Sequence, residues 1–383
     1  MSIFEFATAT KIIFGAGSID QLPKLASAFG NQVFLVTGGA LKRVESILSK
    51  LAEAHLEVHI FQVTGEPDIA LAQDGVQRAR EFGAQVVVSI GGGSVLDTGK
   101  AIAALVTNQG DPLDYLEVIG KGQPLKQPAL PFIAIPTTAG TGSEVTSNAV
   151  LSSKEHAVKV SLRSPLMLPR IALVDPTLTY GMPPEITAQT GMDALTQVIE
   201  PFVSNKSNPI TDALCAVGIQ HAGQALVRAY HHPEDTDARE AMALTSLLGG
   251  LALANAKLGA VHGFAGPMGG MFDAPHGALC ASLLAPVTQV NIQALQERAP
   301  DSPILERYLQ VDRWLGGEGN LENLIQTLRS ITRELEIPRL SRYEVTEADF
   351  DAIVEKATVA SSMQGNPIKL TTAELTQILQ LAL

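Results

Sequence analysis

Length, composition and charge restrict what this chain can be. Its 383 residues, 46% of them hydrophobic and 17% charged, can bury a large core and exceed the size at which one core usually stops growing. The formal net charge of −12 and the lack of a basic cluster exclude the electrostatic footprint of a nucleic-acid-binding protein. Two cysteines, Cys215 and Cys280, give no disulfide framework. With no signal-peptide pattern at the start and no run of about 18 apolar residues, we expect a soluble cytoplasmic protein with no membrane partner.

The first part of the chain alternates strand patterns with helix patterns. Residues 3–14 alternate apolar and polar side chains and end in a glycine turn, as a strand does. The alternation then continues with strands predicted at 32–37, 57–63 and 84–90 and helices at 41–54 and 69–83. This order argues for a parallel sheet covered by helices on both faces.

The pattern changes after residue 131 and again after Pro183. A strand at 131–136 ends in a Thr/Gly run, two alternating segments predict a hairpin, and a last strand is predicted at 170–176. Beyond Pro183 only helices are predicted, at 193–203, 209–229, 237–258, 277–292, 303–315, 320–335, 347–359 and 372–382. We therefore predict an α/β domain at 1–182 and an all-helical domain at 183–383, with the cleft between them as the expected ligand site.

The segment GGGSVLDTGKA (91–101) follows a predicted strand and opens a helix. Glycines let the backbone approach an anion, and the free N–H groups at a helix start favour a phosphate. The segment lacks the Lys-Ser/Thr ending of a P-loop and is not G-x-G-x-x-G, so a phosphate-hydrolysing site is not expected. It predicts a pyrophosphate cradle or, alternatively, a glycine turn capped by Ser94. Asp97 either caps this helix or faces the ligand.

A second loop, PTTAGTGSEVT (136–146), also follows a strand. It offers hydroxyls and backbone amides to a polar ligand, or it is simply a structural turn. Lys159, in the strand beyond it, either places a charge near a phosphate or is a solvated strand residue. Two such loops at successive strand ends favour the binding interpretation.

His262 and His276 lie fourteen positions apart around a Gly/Pro-rich break, and Asp193 opens a helical run upstream. A histidine near the end of one helix and another at the start of the next can face a common point if the break folds the chain back. Together with a carboxylate they could hold a divalent metal. The alternative is that each histidine is a hydrogen-bonded core residue.

Five segments carry a family resemblance by their order and spacing. They are GGGSVLDTGKA, PTTAGTGSEVT, GMDALTQVIEPFVSNKSNPITDA, AMALTSLLGGLALANAKLGAVHG and APHGALCASLLAPV. They resemble the iron-containing (group III) alcohol dehydrogenases, a family that includes glycerol dehydrogenases and maleylacetate reductases. The resemblance implies a dinucleotide-binding α/β domain, a helical metal-binding domain and NAD(P)-dependent hydride transfer between a small alcohol and its aldehyde or ketone. It also implies a homodimer or higher homo-oligomer, with the N-terminal strand as a candidate for cross-subunit pairing.

The resemblance also implies roles for individual residues. The metal-binding and catalytic positions of the family fall on Asp193, His262 and His276. The cofactor contacts fall on Gly92, Gly93, Ser94, Asp97, Thr137, Thr138, Asn148 and Lys159. A family histidine four residues after the aspartate is Gln197 here, and an amide oxygen is a weaker donor than imidazole for Fe²⁺ or Zn²⁺. We therefore expect three ligands with Gln197 assisting, and a metal-independent reductase of the maleylacetate type is the alternative.

Two further departures concern the proton path and the cofactor. Gly266 stands where many members carry a proton-relay histidine, which leaves the proton to water, the cofactor ribose or another side chain, or opens the pocket to a bulkier substrate. The first strand after residue 31 runs into Gly38, where NAD-selective members follow it with an aspartate that repels a 2′-phosphate. We therefore expect NADP use or dual specificity. Lys42 or Arg43 either reaches the extra phosphate or is a solvated helix charge.

Functions of other classes are weaker interpretations. A lyase or cyclase like the related dehydroquinate synthases, which pair NAD with zinc, would need a Lys/Arg-rich pocket that the sequence around 193–276 lacks. A non-catalytic NAD(P)-binding sensor would account for Gln197. Turnover of short aldehydes with NADPH separates the enzyme from the sensor.

Overall fold

The chain divides into two compact units in the computed structural model, which describes residues 3–153, 155–156 and 158–383 and omits the side chain of Arg43. One unit comprises residues 8–138 and 142–179. The other comprises residues 180–383, the segment up to Ala7 and the short stretch Ala139–Thr141. The domain boundary predicted between residues 182 and 183 stays a prediction.

The first unit is an α/β layer structure. Its strands are β1 (Lys11–Phe14), β2 (Gln32–Gly38), β3 (Glu57–Val63), β4 (Val86–Gly91), β5 (Phe132–Pro136), β6 (Asn148–Ser153), β7 (Val158–Arg163) and β8 (Ile171–Val174). Its helices are α1 (Leu22–Ser27), α2 (Glu45–Glu53), α3 (Ile69–Phe82), α4 (Gly93–Thr107) and α5 (Pro112–Tyr115). Six strands form a parallel sheet in the order β1-β8-β5-β4-β2-β3, and β6 and β7 form an antiparallel hairpin. The predicted parallel α/β sheet is confirmed.

Alternation along β2 explains why both faces of this sheet are covered. Successive strand residues point to opposite faces, so Val33 and Leu35 join the core on one side while Phe34 and Val36 join the core on the other. All four side chains are fully buried. A sheet with no polar face needs helices on both sides, as the short helices between its strands provide.

The second unit is helical. It comprises α6 (Pro184–Val203), α7 (Pro209–His231), α8 (Thr236–Ala256), α9 (Ala260–Met271), α10 (His276–Arg298), α11 (Pro303–Trp314), α12 (Leu321–Glu334), α13 (Phe350–Val359) and α14 (Thr372–Ala382). By length and composition α10 resembles a membrane span, but 89% of its apolar window is buried within the protein. That burial is typical of a core helix. The predicted helical character of this half is confirmed.

Two local predictions were wrong. Residues 3–9 form no strand, and both backbone polar groups of Ala7 bond to the side chain of Asn255 instead of to a neighbouring strand, at 2.7 and 3.0 Å. The segment after residue 258 is not a break but the helix α9, bent by 98° from α8 and containing Pro267. Burial of its apolar side chains, Phe264 and Met268 among them, outweighs its low intrinsic helix propensity. The true break between α9 and α10 spans only residues 272–275.

Candidate functional site

One face of α6 carries a row of buried polar side chains. Asp193, Gln197 and Glu200 follow one another at intervals of four and three residues, which places them on the same side of a helix. Asp193 is 2% exposed and Gln197 is 3% exposed. Because an ionised carboxylate in such a place is costly without a partner, this face requires compensating charge.

The two histidines meet Asp193 from two other helices. His262 lies in the first turn of α9, and its Nε2 is 3.3 Å from Asp193 Oδ1. His276 is the first residue of α10, and its Nε2 is 3.8 Å from the same oxygen. Three helices therefore bring together the three side chains predicted to hold a metal.

Cys280 is a fourth member of this cluster, and sequence reasoning missed it. Its Sγ lies 3.6 Å from His276 Nε2 and 3.8 Å from His262 Nε2. One potential ligand atom from each of Asp193, His262, His276 and Cys280 lies within 4.8 Å of every other. The available signal was the spacing His-x-x-x-Cys on one helix, since residues four apart share a face.

Glu200, also missed from sequence, holds the ring of His262. Its Oε2 lies 2.7 Å from His262 Nδ1, and its Oε1 accepts a hydrogen bond from the backbone N–H of Val261 at 2.7 Å. A carboxylate at Nδ1 favours the tautomer with the proton there, which leaves the Nε2 lone pair facing the cluster. This arrangement is typical of a metal-binding histidine.

Two buried oxygen atoms that lack hydrogen-bond partners indicate whether a cation fits this site. In the part of the chain that the structure describes, Asp193 Oδ1 and Gln197 Oε1 are buried without a hydrogen-bond partner. A buried acceptor left unpaired costs about 1–3 kcal/mol. Asp193 Oδ1 is a hard oxygen donor beside two imidazole nitrogens, and Gln197 Oε1 is a second hard donor one turn further along α6, so a divalent cation would satisfy this donor set.

The electrostatics of the cluster agree with a cation site. Burial alone would raise the pKa of Asp193, but its close contact with His262 and the nearby charge of His276 prevail and lower it. Burial alone would lower the pKa of His262, but the Coulombic influence of Cys280 and its contacts with Asp193, Cys280 and Glu200 raise it well above its ordinary value. The surroundings of His262 thus stabilise positive charge.

The glycine-rich segment at the end of β4 forms the start of α4. Gly92 is the N-cap residue, and no side chain caps the helix, so Ser94 does not play the capping role considered above. Uncapped N–H groups at a helix start can bind an anion. A Cβ added to Gly92 would lie 3.3 Å from Thr138 Cγ2, which shows how closely the loops after β4 and β5 approach each other.

Asp97 holds the loop after β5 and does not cap α4. Its Oδ1 accepts a hydrogen bond from Ser143 Oγ at 2.5 Å, and its Oδ2 accepts one from the backbone N–H of Val150 at 2.9 Å. The fully buried Lys100 beside it donates to Ser143 Oγ, Thr146 Oγ1 and the carbonyls of Ser143 and Asn148. Burial lowers the pKa of Lys100. These bonds fix the shape of the second loop.

The other predicted cofactor residues lie at strand ends or nearby. Gly38 ends β2, Thr137 and Thr138 follow β5, and Asn148 begins β6. Lys159, in β7, forms an ion pair with Glu66 at 2.7 Å.

Three remaining positions bear on the cofactor and on the proton path. Lys42 lies in the short 3₁₀ helix Leu41–Arg43, and the Arg43 side chain lies outside the described part of the chain. Gly266 faces open space, because a Cβ added there would meet no atom within 4 Å.

Family patterns match nearly the whole chain. The pattern described as iron-containing alcohol dehydrogenase matches residues 9–176, and the one described as the C-terminal part of the Fe-containing alcohol dehydrogenase family matches residues 187–383. Each of the two matches falls mainly within one of the two compact units.

Individual proteins are similar over most or all of their length. The chain is 37% identical to alcohol dehydrogenase 4 of Saccharomyces cerevisiae over 347 residues, which is 90% of this chain and 87% of the relative. It is 34% identical to 1,3-propanediol dehydrogenase of Klebsiella pneumoniae, with 99% of each chain covered. The crystal structure of a 1,3-propanediol oxidoreductase matches with a TM-score of 0.92 at 33% identity, covering 100% of both chains.

Proposed function

The chain belongs to the iron-containing alcohol dehydrogenase family and is an NAD(P)-dependent alcohol oxidoreductase, and from this premise we propose how its residues act. We propose that Asp193, His262 and His276 hold a divalent metal, with Gln197 assisting. The observation that carries this proposal is the unpartnered, buried Oδ1 of Asp193 facing the Nε2 atoms of both histidines.

The bound metal supplies Lewis acidity toward the substrate oxygen, and NAD(P) donates or accepts the hydride. The protein's own residues provide charge and orientation. Asp193 contributes a negative charge that burial keeps from being screened by water. Glu200 holds His262 in one tautomer. His276 is 39% exposed, whereas the side chains of Asp193 and His262 are buried, so a substrate reaches the cluster on the His276 side.

We propose that water carries the proton in this enzyme. Gly266 has no side chain to relay it, and the space beside that residue is open. A water there would take the place of the imidazole that many relatives carry at this position. The same space would admit a substrate bulkier than a short alcohol.

We propose that the cofactor pyrophosphate binds at the start of α4, against Gly92, Gly93 and Ser94. The further contacts would come from Gly38, Asp97, Thr137, Thr138, Asn148 and Lys159. No carboxylate follows β2 at Gly38, Gly39 or Ala40, so nothing there repels a 2′-phosphate, and Lys42 is exposed close by. We therefore expect NADPH to be used at least as well as NADH. A preference for NADH of about a hundredfold in kcat/KM would contradict this expectation.

We also propose that the enzyme acts in the cytoplasm as a homo-oligomer. Two buried free cysteines and no disulfide fit a reducing compartment. Size-exclusion chromatography with light scattering would measure the oligomeric state.

Metal removal tests the proposed function. We expect a chelator to abolish NADPH oxidation with a panel of short aldehydes, and we expect Zn²⁺ or Fe²⁺ to restore it. Elemental analysis of the same samples would report the metal content. Full activity of metal-free protein would instead identify a metal-independent reductase. Cofactor binding without turnover of any aldehyde would indicate a sensor.

A further inference from the structure

We propose that Cys280 Sγ is a metal ligand alongside Asp193, His262 and His276, and that this four-ligand site selects Zn²⁺ over Fe²⁺. The inference rests on the proposed function, because it concerns the same metal. It changes the chemistry of the site, since a thiolate stands in for the imidazole that is missing at Gln197.

The distances in the cluster agree with a single tetrahedral ion. Two ligands at about 2.0–2.3 Å from Zn²⁺ and at the tetrahedral angle lie about 3.3–3.8 Å apart. Cys280 Sγ is 3.6 and 3.8 Å from the two imidazole Nε2 atoms. Asp193 Oδ1 is 3.3 and 3.8 Å from the same two nitrogens. The sulfur therefore lies at nearly the same distances from the two imidazoles as the carboxylate oxygen does.

Cys215 shows what a structural cysteine in this protein looks like. It is fully buried in α7 within the helical core, and burial raises the pKa of its thiol. Cys280 is equally buried, but its sulfur faces two imidazole nitrogens and a carboxylate. An apolar core role needs no such neighbours.

Gln197 is the competing candidate for the fourth ligand. Its Oε1 is unpartnered, but its side chain also lies close enough to Asp193 to help lower the pKa of that carboxyl, which fits a residue that orients the carboxylate. An amide oxygen suits hard ions such as Mg²⁺, whereas a thiolate suits Zn²⁺. The sulfur therefore makes the stronger bond to a zinc-type ion. Because zinc can expand to five ligands, four protein ligands still leave room for a substrate.

The experiment reads the metal–sulfur bond directly. Full-length metal-free protein, kept reduced with a phosphine, is loaded with Co²⁺ and its absorption spectrum is recorded. We expect a near-ultraviolet thiolate-to-cobalt charge-transfer band in the wild type and in the control Cys215→Ser. Cys280→Ser should lose the band and bind Zn²⁺ more than about a hundredfold more weakly, because even the loss of a residue that only orients a ligand costs about 10–100-fold. The wild-type spectrum is informative even if a variant fails to fold.

Competition between metals tests the selectivity. A metal site with only nitrogen and oxygen ligands already binds Zn²⁺ more tightly than Fe²⁺. The informative quantity is therefore the change in the bound Zn/Fe ratio between the wild type and the variant. With equimolar Zn²⁺ and Fe²⁺ under anaerobic conditions, we expect the bound Zn/Fe ratio to fall at least about tenfold in Cys280→Ser but not in Cys215→Ser.

The outcomes separate this inference from the proposed function. Cobalt binding with visible ligand-field bands but no charge-transfer band would overturn the cysteine ligand and leave the proposed metal in place. Equal Zn²⁺ affinity of the wild type and Cys280→Ser, together with a loss in Gln197→Ala, would make Gln197 the ligand. No binding of Co²⁺ or Zn²⁺ at all would overturn both proposals.

Discussion

The two candidate binding regions of this protein are built in opposite ways. The proposed cofactor region would rely on backbone groups at the ends of adjacent strands, namely Gly92 at the start of α4 and the loop after β5. The proposed metal region consists of side chains that three helices bring together from positions 193 to 280. A backbone site tolerates few changes of shape but many changes of side chain. A side-chain site can keep its metal when one ligand side chain is replaced by another. Gln197 stands where the family has a histidine ligand, and the proposed ligand Cys280 would replace that histidine.

The largest effect should follow from removing the shared carboxylate of the metal region. Asp193→Asn keeps the shape but removes the negative charge that both histidines face. We expect metal content to fall to background and kcat/KM to drop about a thousandfold or more, because a Lewis acid contributes several kcal/mol to the reaction. Elemental analysis and steady-state kinetics would measure both quantities.

The control for Asp193→Asn is cofactor affinity. Fluorescence titration should give an unchanged Kd for NADPH, since the cofactor region uses other residues. Loss of both metal and cofactor binding, in protein whose circular dichroism is normal, would break the separation between the two regions.

A second effect concerns Glu144, a buried acid in the loop after β5. Burial raises its pKa to about 7, although a backbone hydrogen bond and the charge of Lys100 pull in the other direction. In the unfolded chain the group ionises near its ordinary pKa of 4.5, so the folded state binds the extra proton between pH 4.5 and 7. The stability that Glu144 contributes is therefore fully present below pH 4.5 and is lost as the pH rises to about 7.

Glu144→Gln isolates this contribution, because the amide mimics the protonated acid and does not titrate. Relative to the wild type, the variant should gain thermal stability as the pH rises from 4.5 to 7, by up to about 3 kcal/mol in the unfolding free energy. The difference in Tm between the two proteins, measured across this range, checks the sign. A constant difference would show that Glu144 stays ionised, and that the cofactor region is held by a charged pair with Lys100.

The contrast between the regions also explains what the sequence could predict. The sheet was predictable because apolar runs such as 86–91 are buried on both faces and alternate with helical patterns. The helix α9 was not, because Gly263, Gly266 and Pro267 have low helix propensity and only tertiary burial stabilises it. Glu200 gave no local signal, since its partner His262 lies 62 residues further along the chain.

The smallest effect should follow from adding one methyl group to the backbone region. In Gly92→Ala the new Cβ would lie 3.3 Å from Thr138 Cγ2, so the loops after β4 and β5 must separate by a few tenths of an ångström. We expect the Kd for NADPH to rise about tenfold, the cost of roughly one weakened hydrogen bond, with metal content unchanged.

Thr138→Ser removes the methyl group that the new Cβ meets and keeps the hydroxyl. If the contact is the cause, the double variant should recover most of the lost affinity while Thr138→Ser alone changes little. Additive losses in the double variant would mean that Gly92 is required for its backbone conformation, and the close approach of the two loops would then not govern cofactor binding.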